Sequence, residues 1–282
     1  MKRITLSLAL LLLTPHLHAQ ARDIPSAQPQ HAAGSTPEQR GRKLLDEMLE
    51  DLGGDAWLNR KNVSEEGHIA RFFRGAPTGI VIDFHAIRQF AGPNRRDALR
   101  MGFLTDKSMI LPGKKIDVVQ IWTANTGHEV TYKGNTTLPQ DQIDDFYRRQ
   151  DHSIESIYNV WLKAPGVMVL DEGPTMVERR LTERVTILSA NNDAVTLDID
   201  TQTHFPRRRT FETRNPKFKD IDEDAEEYDD YHIIQGLPTA FTITRYHNGD
   251  MASQTFFIKV EYNLDVPPGT FDPNILLQKK GK

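Results

Sequence analysis

The chain has 282 residues, which is long for one domain but within the size of all-β proteins that fold as a single unit. It contains 35 basic and 39 acidic residues. Lys2 and Arg3 belong to an N-terminal segment that we predict is cleaved, and without them the counts are 33 and 39. The resulting net charge of about −6 argues against a nucleic-acid-binding protein. The sequence contains no Cys, which excludes disulfides and leaves stabilisation to an ordinary core.

The N-terminal segment is typical of a secretory signal peptide. Two basic residues precede an apolar run over residues 4–13, and Leu17-His18-Ala19 provides a cleavage site. The run is too short to span a bilayer, and no Cys is present for a lipid anchor. We therefore predict a signal peptide over 1–19, a disordered leader over 20–35, and a periplasmic or secreted protein whose membrane contact is at most transient.

The first helix is predicted to begin after Thr36. Thr36 is a suitable N-cap, Pro37 suits the first helical position, and Gln39 completes a capping box. The pattern ends at Gly53-Gly54. The large apolar residues between these points share one face, so we expect the helix to pack on a sheet. They are Leu44, Leu45, Met48, Leu49 and Leu52.

Strand patterns replace the helical period between residues 63 and 131. Apolar residues alternate over 80–85, 98–103 and 119–121. Short turns join the runs, and short turns indicate antiparallel neighbours because a parallel pair needs a crossover of a dozen or more residues. The turn signals are Gly75-Ala76-Pro77, Gly92-Pro93-Asn94, Pro112-Gly113 and Asn125-Thr126-Gly127.

A helical insert is predicted over about 139–163, where large apolar residues recur every three or four positions. A break near Gln150 to Ser153 divides it, with Ser153 as the N-cap of the second part. More strands follow over 167–213, with Gly173-Pro174 as a separator, and residues 215–225 are interpreted as an exposed acidic loop.

The last hairpin is signalled by its turn residues. Gly236-Leu237-Pro238 begins one alternating run, and Asn248-Gly249-Asp250 turns it back. We interpret this hairpin as the closing pair of an antiparallel sheet of about ten or eleven strands. The prediction is one domain over 36–275, followed by a flexible tail over 276–282.

The chain lacks a convincing catalytic or metal motif. Asp220 to Asp224 begins like a calcium loop, but Ala225 stands where the turn needs Gly and Tyr231 where a bidentate Glu is needed. The His residues lack the i, i+4 spacing of a helical zinc site, and neither a nucleophile elbow nor a Gly-rich phosphate loop is present. We predict no enzyme, no metal and no other cofactor, with a hydrolase built from distant residues as the alternative.

A basic cluster, Arg207-Arg208-Arg209, lies in a predicted strand. Alternation places Arg207 and Arg209 on one face and Arg208 on the other. We interpret all three as solvated positions near a sheet edge.

Large apolar side chains are the most informative candidates for a binding site. In a curved sheet some of them would line a cavity for an acyl chain. Packing of the sheet against the helices uses the same inward positions, so the sequence does not distinguish the two arrangements. The candidate ligand-binding residues are Ile82, Phe84, Leu99, Met101, Ile121, Trp122, Phe146, Trp161 and Phe241.

Several segments together resemble the LolA/LolB-like superfamily of periplasmic outer-membrane lipoprotein carriers and sorting proteins. They are the helix ending Leu52-Gly53-Gly54, the strand after Val63-Ser64-Glu65-Glu66-Gly67, Thr203-His204-Phe205-Pro206, the stretch from Tyr231 to Pro238, and the ending from Val260 to Pro273. The resemblance covers about residues 36–275. It implies an α+β fold, in which an unclosed, curved antiparallel half-barrel is covered by helices and its apolar interior holds lipid or acyl chains.

These observations predict a non-enzymatic, monomeric binding or carrier protein for a lipid, an acyl chain or a lipoprotein. The alternative is an envelope sensor or scaffold module that binds a partner protein through the sheet or the acidic loop. The chain is longer than the carriers it resembles and adds the helical insert and the acidic stretch.

Overall fold

The computed structural model describes residues 34–90, 97–106, 114–215 and 218–274. The predicted signal peptide (1–19), nearly all of the predicted leader (20–35) and the predicted tail (276–282) lie outside the described residues. The turn signals Gly92-Pro93-Asn94 and Pro112-Gly113 lie outside them as well.

Thirteen strands occur in the described residues. They are β1 (Asn62–Phe73), β2 (Ala76–Gln89), β3 (Ala98–Asp106), β4 (Lys114–Thr123), β5 (Thr126–Thr131), β6 (Gly134–Thr137), β7 (Met168–Val177), β8 (Arg180–Leu188), β9 (Ala194–Asp200), β10 (Pro206–Arg214), β11 (Ile221–Ile234), β12 (Leu237–His247) and β13 (Asp250–Tyr262). They form one antiparallel sheet in the order β6-β5-β4-β3-β2-β1-β13-β12-β11-β10-β9-β8-β7, with β6 and β7 at its two edges.

The helices are α1 (Pro37–Leu52), α2 (Gly54–Leu58), α3 (Gln140–Asp151) and α4 (Ile154–Asn159), with a short 3₁₀ helix at Trp161–Lys163. The predicted capping box is present, since Thr36 Oγ1 accepts from Gln39 N at 3.2 Å and Gln39 Oε1 accepts from Thr36 N at 2.9 Å. Ser153 caps α4 by accepting from Ser156 N. The predicted fold class, an α+β fold with an open antiparallel sheet and helices, is confirmed.

The first and last strands of the chain, β1 and β13, pair with each other, with Val63 opposite Tyr262. This pairing joins two meanders, β1 to β6 and β7 to β13, so the C-terminal hairpin lies in the middle of the sheet and not at its end. The hairpin itself follows the prediction. Asn248 and Gly249 have φ angles of 52° and 81°, the left-handed conformation that a two-residue hairpin turn requires.

The number of strands differs from the ten or eleven predicted. Strand β7 runs through Gly173-Pro174, which was expected to separate two strands, because a bulge forms between Asp171 and Gly173 and an edge strand tolerates Pro. Strands β5 and β6 are rich in Thr and Gly, with Val130 as their only large apolar residue, and so show little apolar alternation.

The acidic stretch is mainly strand and not an exposed loop. Residues 221–224 begin β11, whose carboxylates lie between basic residues of the neighbouring strands. Arg208 lies 3.7 Å from Glu223 and 3.4 Å from Glu227, and Arg245 lies 2.8 Å from Glu226. Cross-strand ion pairs therefore compensate the charge that made this segment resemble a loop.

Helices pack on one face of the sheet, which we call the inner face, in two apolar clusters. The α1 cluster combines α1, α2 and α4 with β7 to β10 and the ends of β12, β13 and β1, and it includes Leu45, Met48, Trp57, Ile157 and Leu197. The α3 cluster combines α3 with β1 to β4 and consists of Ile69, Phe84, Ala86, Leu99, Trp122, Leu138, Ile143 and Tyr147, with Met101, Phe103, Phe146 and Phe257 packed against it.

Candidate functional site

The α3 cluster is built on aromatic contacts between the helix and the sheet. Phe146 stacks on Trp122 with ring centroids 4.7 Å apart, and Phe84 meets Phe257 edge to face at 6.0 Å. Tyr147 donates its hydroxyl to the carbonyl of Thr126 at 3.1 Å. The helix thus rests on the inner face mainly through side chains of one surface.

Close approach of α3 depends on Gly127 in β5. A Cβ at this position would lie 3.1 Å from both Ile143 and Leu138 and 3.2 Å from Trp122, tighter than most real contacts. The four side chains that pack against the buried members of the cluster are not fully covered. Met101, Phe103, Phe146 and Phe257 are only partly buried. Part of the apolar surface of the α3 cluster therefore remains exposed beside the helix.

The structure brings five of the nine predicted binding residues together. Phe84, Leu99, Met101, Trp122 and Phe146 all belong to the α3 cluster, and Ile82 lies beside it, opposite Ile69 in the register of β1 and β2.

The other three predicted residues lie elsewhere. Ile121 is adjacent to Trp122 in a strand and so points to the outer face, where it packs with Val119, Val130 and Phe271. Trp161 and Phe241 pack against the α1 cluster. Alternation along a strand separates Ile121 from Trp122, but the assignment of Trp161 and Phe241 to another cluster depends on tertiary packing.

A second feature of the inner face is a polar pocket of about 460 Å³, which we call the arginine pocket. It lies between α3 and strands β10 to β13 and β1. Its lining combines four arginines with three carboxylates, namely Arg71, Arg149, Arg209, Arg245, Asp145, Asp224 and Glu226. None of these residues belongs to the set of binding residues predicted from the sequence.

The strand register explains how distant residues meet in the pocket. Arg71 in β1 and Arg245 in β12 both lie opposite Ser253 in β13. Arg245 also lies opposite Glu226 in β11, which in turn lies opposite Arg209 in β10. The five residues form one row across five adjacent strands, with the small Ser253 between two arginines.

Arg209 holds this row to the α3–α4 junction. It is 2% exposed, and its guanidinium donates to the carbonyls of Arg149 and His152 at 3.3 and 2.5 Å. It also lies 2.9 Å from Glu226 and donates to the hydroxyl of Tyr228 at 3.2 Å. The cation therefore lies at the C-terminus of α3, where the helix dipole favours positive charge.

The prediction of solvated arginines is therefore wrong for Arg207 and Arg209. Both are buried, and Arg207 lies 3.1 Å from Asp200 and 2.6 Å from Asp229. Charged residues are buried in proteins when they are paired, and the partners here lie on strands that the sequence does not identify as neighbours.

Glu226 is the only carboxylate of the five residues in the row and lies between Arg245 and Arg209. Burial alone would raise the pKa of Glu226, but Arg209 and Arg245 outweigh burial and hold this pKa well below its ordinary value. Glu226 also accepts from the hydroxyl of Tyr228 at 2.9 Å. The carboxylate is therefore ionised and its oxygens are occupied by protein donors.

Two groups of the pocket keep unused hydrogen-bonding capacity. Within the described residues, the Arg71 side chain has no ion-pair or hydrogen-bond partner, and partial burial together with Arg245 lowers the pKa of its guanidinium. Asp224 is 8% exposed. Its Oδ1 lies 3.1 Å from His247 Nδ1, but no described donor makes a hydrogen bond to Oδ2, and Arg148 approaches that oxygen only to 3.8 Å.

Within the described part of the chain, no group of three or more His, Asp or Glu side chains is arranged to hold a metal ion. Over the same residues, no helix is both long enough and apolar enough to cross a membrane.

Comparison with known proteins finds similarity in structure and not in sequence. No protein-family model matches the sequence, and no curated protein matches it significantly. A DUF1329 family protein from Desulfovibrio piger is similar over 84% of this chain and 98% of its own, with a TM-score of 0.54 at 12% identity.

Two further solved structures match with lower scores. A LolA superfamily protein from Nitrosomonas europaea, of the superfamily that the sequence resembles, covers 82% of this chain and 96% of its own at a TM-score of 0.45 and 9% identity. LprF from Mycobacterium bovis covers 83% and 98% at a TM-score of 0.32 and 10% identity. The chain shares its fold with the DUF1329 family structure.

Proposed function

We propose that this protein is a non-enzymatic periplasmic or secreted carrier that binds the acyl part of a lipid or lipoprotein on the inner face of its sheet. The observation that carries the proposal is the α3 cluster. The four side chains that pack against its buried members are large and apolar but only partly buried. A ligand chain lying along them would remove that apolar surface from water.

Helix α3 would act as the cover of this site. Its contacts with the sheet are the Trp122–Phe146 stack, the Tyr147 hydrogen bond and the Arg209 contacts at its C-terminus. Helix α1 is held more firmly, since Leu45, Met48 and Leu52 are buried and Arg40 lies 2.6 Å from the buried Asp171. A ligand would therefore enter beside α3 rather than beneath α1.

The test is quenching of tryptophan fluorescence by a fatty acid with a brominated chain, added to delipidated protein. A chain lying along Phe146 would bring its bromine atoms close to Trp122, which stacks on Phe146, so quenching should be strong in the wild type and largely lost in Trp122→Phe. Trp161→Phe is the matched control, because Trp161 packs against the α1 cluster, and it should leave the quenching almost unchanged.

Absence of quenching together with absence of lipid in the purified protein would refute the proposal. Quenching that is lost in Trp161→Phe instead would place the chain in the α1 cluster and refute the assignment to α3.

A second candidate function is binding of a partner protein at edge strand β7. Met176 and Leu181 form an exposed cross-strand pair of β7 and β8, 65% and 52% exposed. A row of exposed apolar side chains beside an unpaired edge suits addition of a strand from another chain. Substitution of both residues by Lys should abolish any complex recovered from envelope extract and leave lipid uptake unchanged.

A further inference from the structure

The arginine pocket lies directly beside the proposed acyl site. Along β1, Ile69 belongs to the α3 cluster and Arg71 lines the pocket. Residues two apart on a strand share a face and lie about 7 Å apart. On α3, Phe146 packs on the α3 cluster, whereas Asp145 and Arg149 line the pocket. Helix α3 and strand β1 thus each contribute residues both to the apolar α3 cluster and to the charged arginine pocket.

We propose that the arginine pocket binds the head of an amphiphile whose chain lies on the α3 cluster, and that this head is a phosphate ester with an adjacent hydroxyl or ammonium group. This inference rests on the proposed carrier function. It adds the head-group chemistry and assigns Arg71, Arg245 and Asp224 as the residues that recognise it.

The arrangement of the two arginines favours phosphate. Arg71 and Arg245 lie on either side of Ser253, two strand spacings or about 10 Å apart at their Cα atoms. Ser253 is small, so the space above it is open to a ligand between the two guanidinium groups. A tetrahedral phosphate presents oxygens in several directions and accepts from both arginines, whereas a planar carboxylate pairs best with one arginine fork.

Protein contacts leave these arginines available. Only the Nε of Arg245 is used within the described residues, in its 2.8 Å contact with Glu226, and 46% of its side chain is exposed. Arg71 is unpaired over the same residues and also repels Arg245. Arg71 is exposed, and an anion between the two arginines would offset their repulsion and accept hydrogen bonds from both guanidinium groups.

We assign Asp224 to the recognition of a hydrogen-bond donor in the head group of the ligand. Asp224 lines the pocket, and its buried Oδ2 receives no hydrogen bond within the described residues, with Arg148 3.8 Å away. A buried carboxylate oxygen without a donor is unfavourable, and a hydroxyl or ammonium beside the phosphate would satisfy it. The pocket volume of about 460 Å³ is within the range of about 300–1,000 Å³ typical of small-molecule sites.

The test compares three probes on the delipidated full chain. They are a short-chain phosphatidylethanolamine, a monoacylglycerol with the same chain and a neutral head, and inorganic phosphate. The wild type should bind the phospholipid at least about tenfold more tightly than the monoacylglycerol, which corresponds to one or two charge-assisted hydrogen bonds. Inorganic phosphate should bind weakly, because it has no chain.

Arg71→Ala is the decisive variant, since it removes no contact made within the described residues. It should weaken phospholipid binding about tenfold and leave monoacylglycerol binding unchanged, with partial recovery in Arg71→Lys. Arg100→Ala is the matched control. Arg100 is half-buried and burial lowers its pKa, but it lies opposite Ile121 and hence on the outer face. It should change neither affinity.

Each outcome is decisive. Equal binding of phospholipid and monoacylglycerol, unaffected by Arg71→Ala, would overturn the head-group assignment and leave the carrier function standing. Failure of the monoacylglycerol and the phospholipid to bind would overturn both proposals. Inorganic phosphate binding as tightly as the phospholipid would identify a site for free phosphate and overturn the lipid-head assignment.

Discussion

Removal of the Arg209 guanidinium should destabilise the protein more than any comparable change among its exposed arginines. Arg209→Met keeps an unbranched apolar stem but removes the donor to two carbonyls at the α3–α4 junction and to the hydroxyl of Tyr228, and it leaves Arg245 as the remaining cation beside Glu226. Removing one partner of a buried ion pair costs about 3–5 kcal/mol, because the other charge remains buried. For a chain of this size that is a fall of about 6–20 °C in Tm.

The matched control is Arg208→Met at the next position in the same strand. Arg208 makes ion pairs at 3.7 and 3.4 Å with Glu223 and Glu227, and 29% of its side chain is exposed. Exposed pairs contribute about 0–1 kcal/mol, so this variant should unfold close to the wild type. Urea denaturation followed by circular dichroism measures both free energies of unfolding.

The pH dependence of Arg209→Met gives a separate check. In the wild type the pKa of Glu226 is depressed, so its contribution is present above the unfolded value of about 4.5 and declines as the pH falls toward the folded pKa. In the variant only Arg245 and Tyr228 remain to oppose burial, so the pKa of Glu226 is less depressed and the carboxylate contributes less stability above pH 4.5. The stability gap should therefore narrow between pH 7 and pH 3. Equal losses for Arg208→Met and Arg209→Met, or a gap independent of pH, would refute the reasoning.

Two further changes test the sheet itself. Gly67→Ala should lower the free energy of unfolding by several kcal/mol in urea denaturation, because its Cβ would lie 2.1 Å from the carbonyl oxygen of Phe256 at the β1–β13 bulge; a loss under 1 kcal/mol would contradict this close approach. Burial lowers the pKa of His85 below 6.5, so neutral His85 stabilises the fold above that pH and this contribution declines as the pH falls. His85→Asn should flatten the loss of stability below pH 6.5, and an NMR titration that placed the pKa of His85 above 6.5 would exclude this explanation.

Local structure was predictable from neighbouring residues. The capping box at Thr36, the N-cap at Ser153 and the left-handed pair Asn248-Gly249 each depend on contacts within a few positions of the chain. Alternation likewise predicts which side chains of one strand share a face, which is why Phe84, Leu99, Met101 and Trp122 meet in one cluster.

The arginine pocket was not predictable in this way. Its residues come from α3 and five strands, and an arginine on an inward position has the same sequence pattern as one at a solvated edge. Whether it is buried depends on whether carboxylates of another strand lie opposite, as Glu226 lies opposite both Arg209 and Arg245.

The sequence by itself determined the helix starts, the hairpin turn, the antiparallel character of the sheet and five of the twelve side chains in and against the apolar α3 cluster. Only the tertiary structure decided that β1 pairs with β13, which places the C-terminal hairpin at the centre and Arg71 beside Ser253 and Arg245. The physical reason is that the side-chain period specifies the face of a residue, whereas pairing between strands about 190 positions apart is selected by packing and charge compensation across the whole sheet.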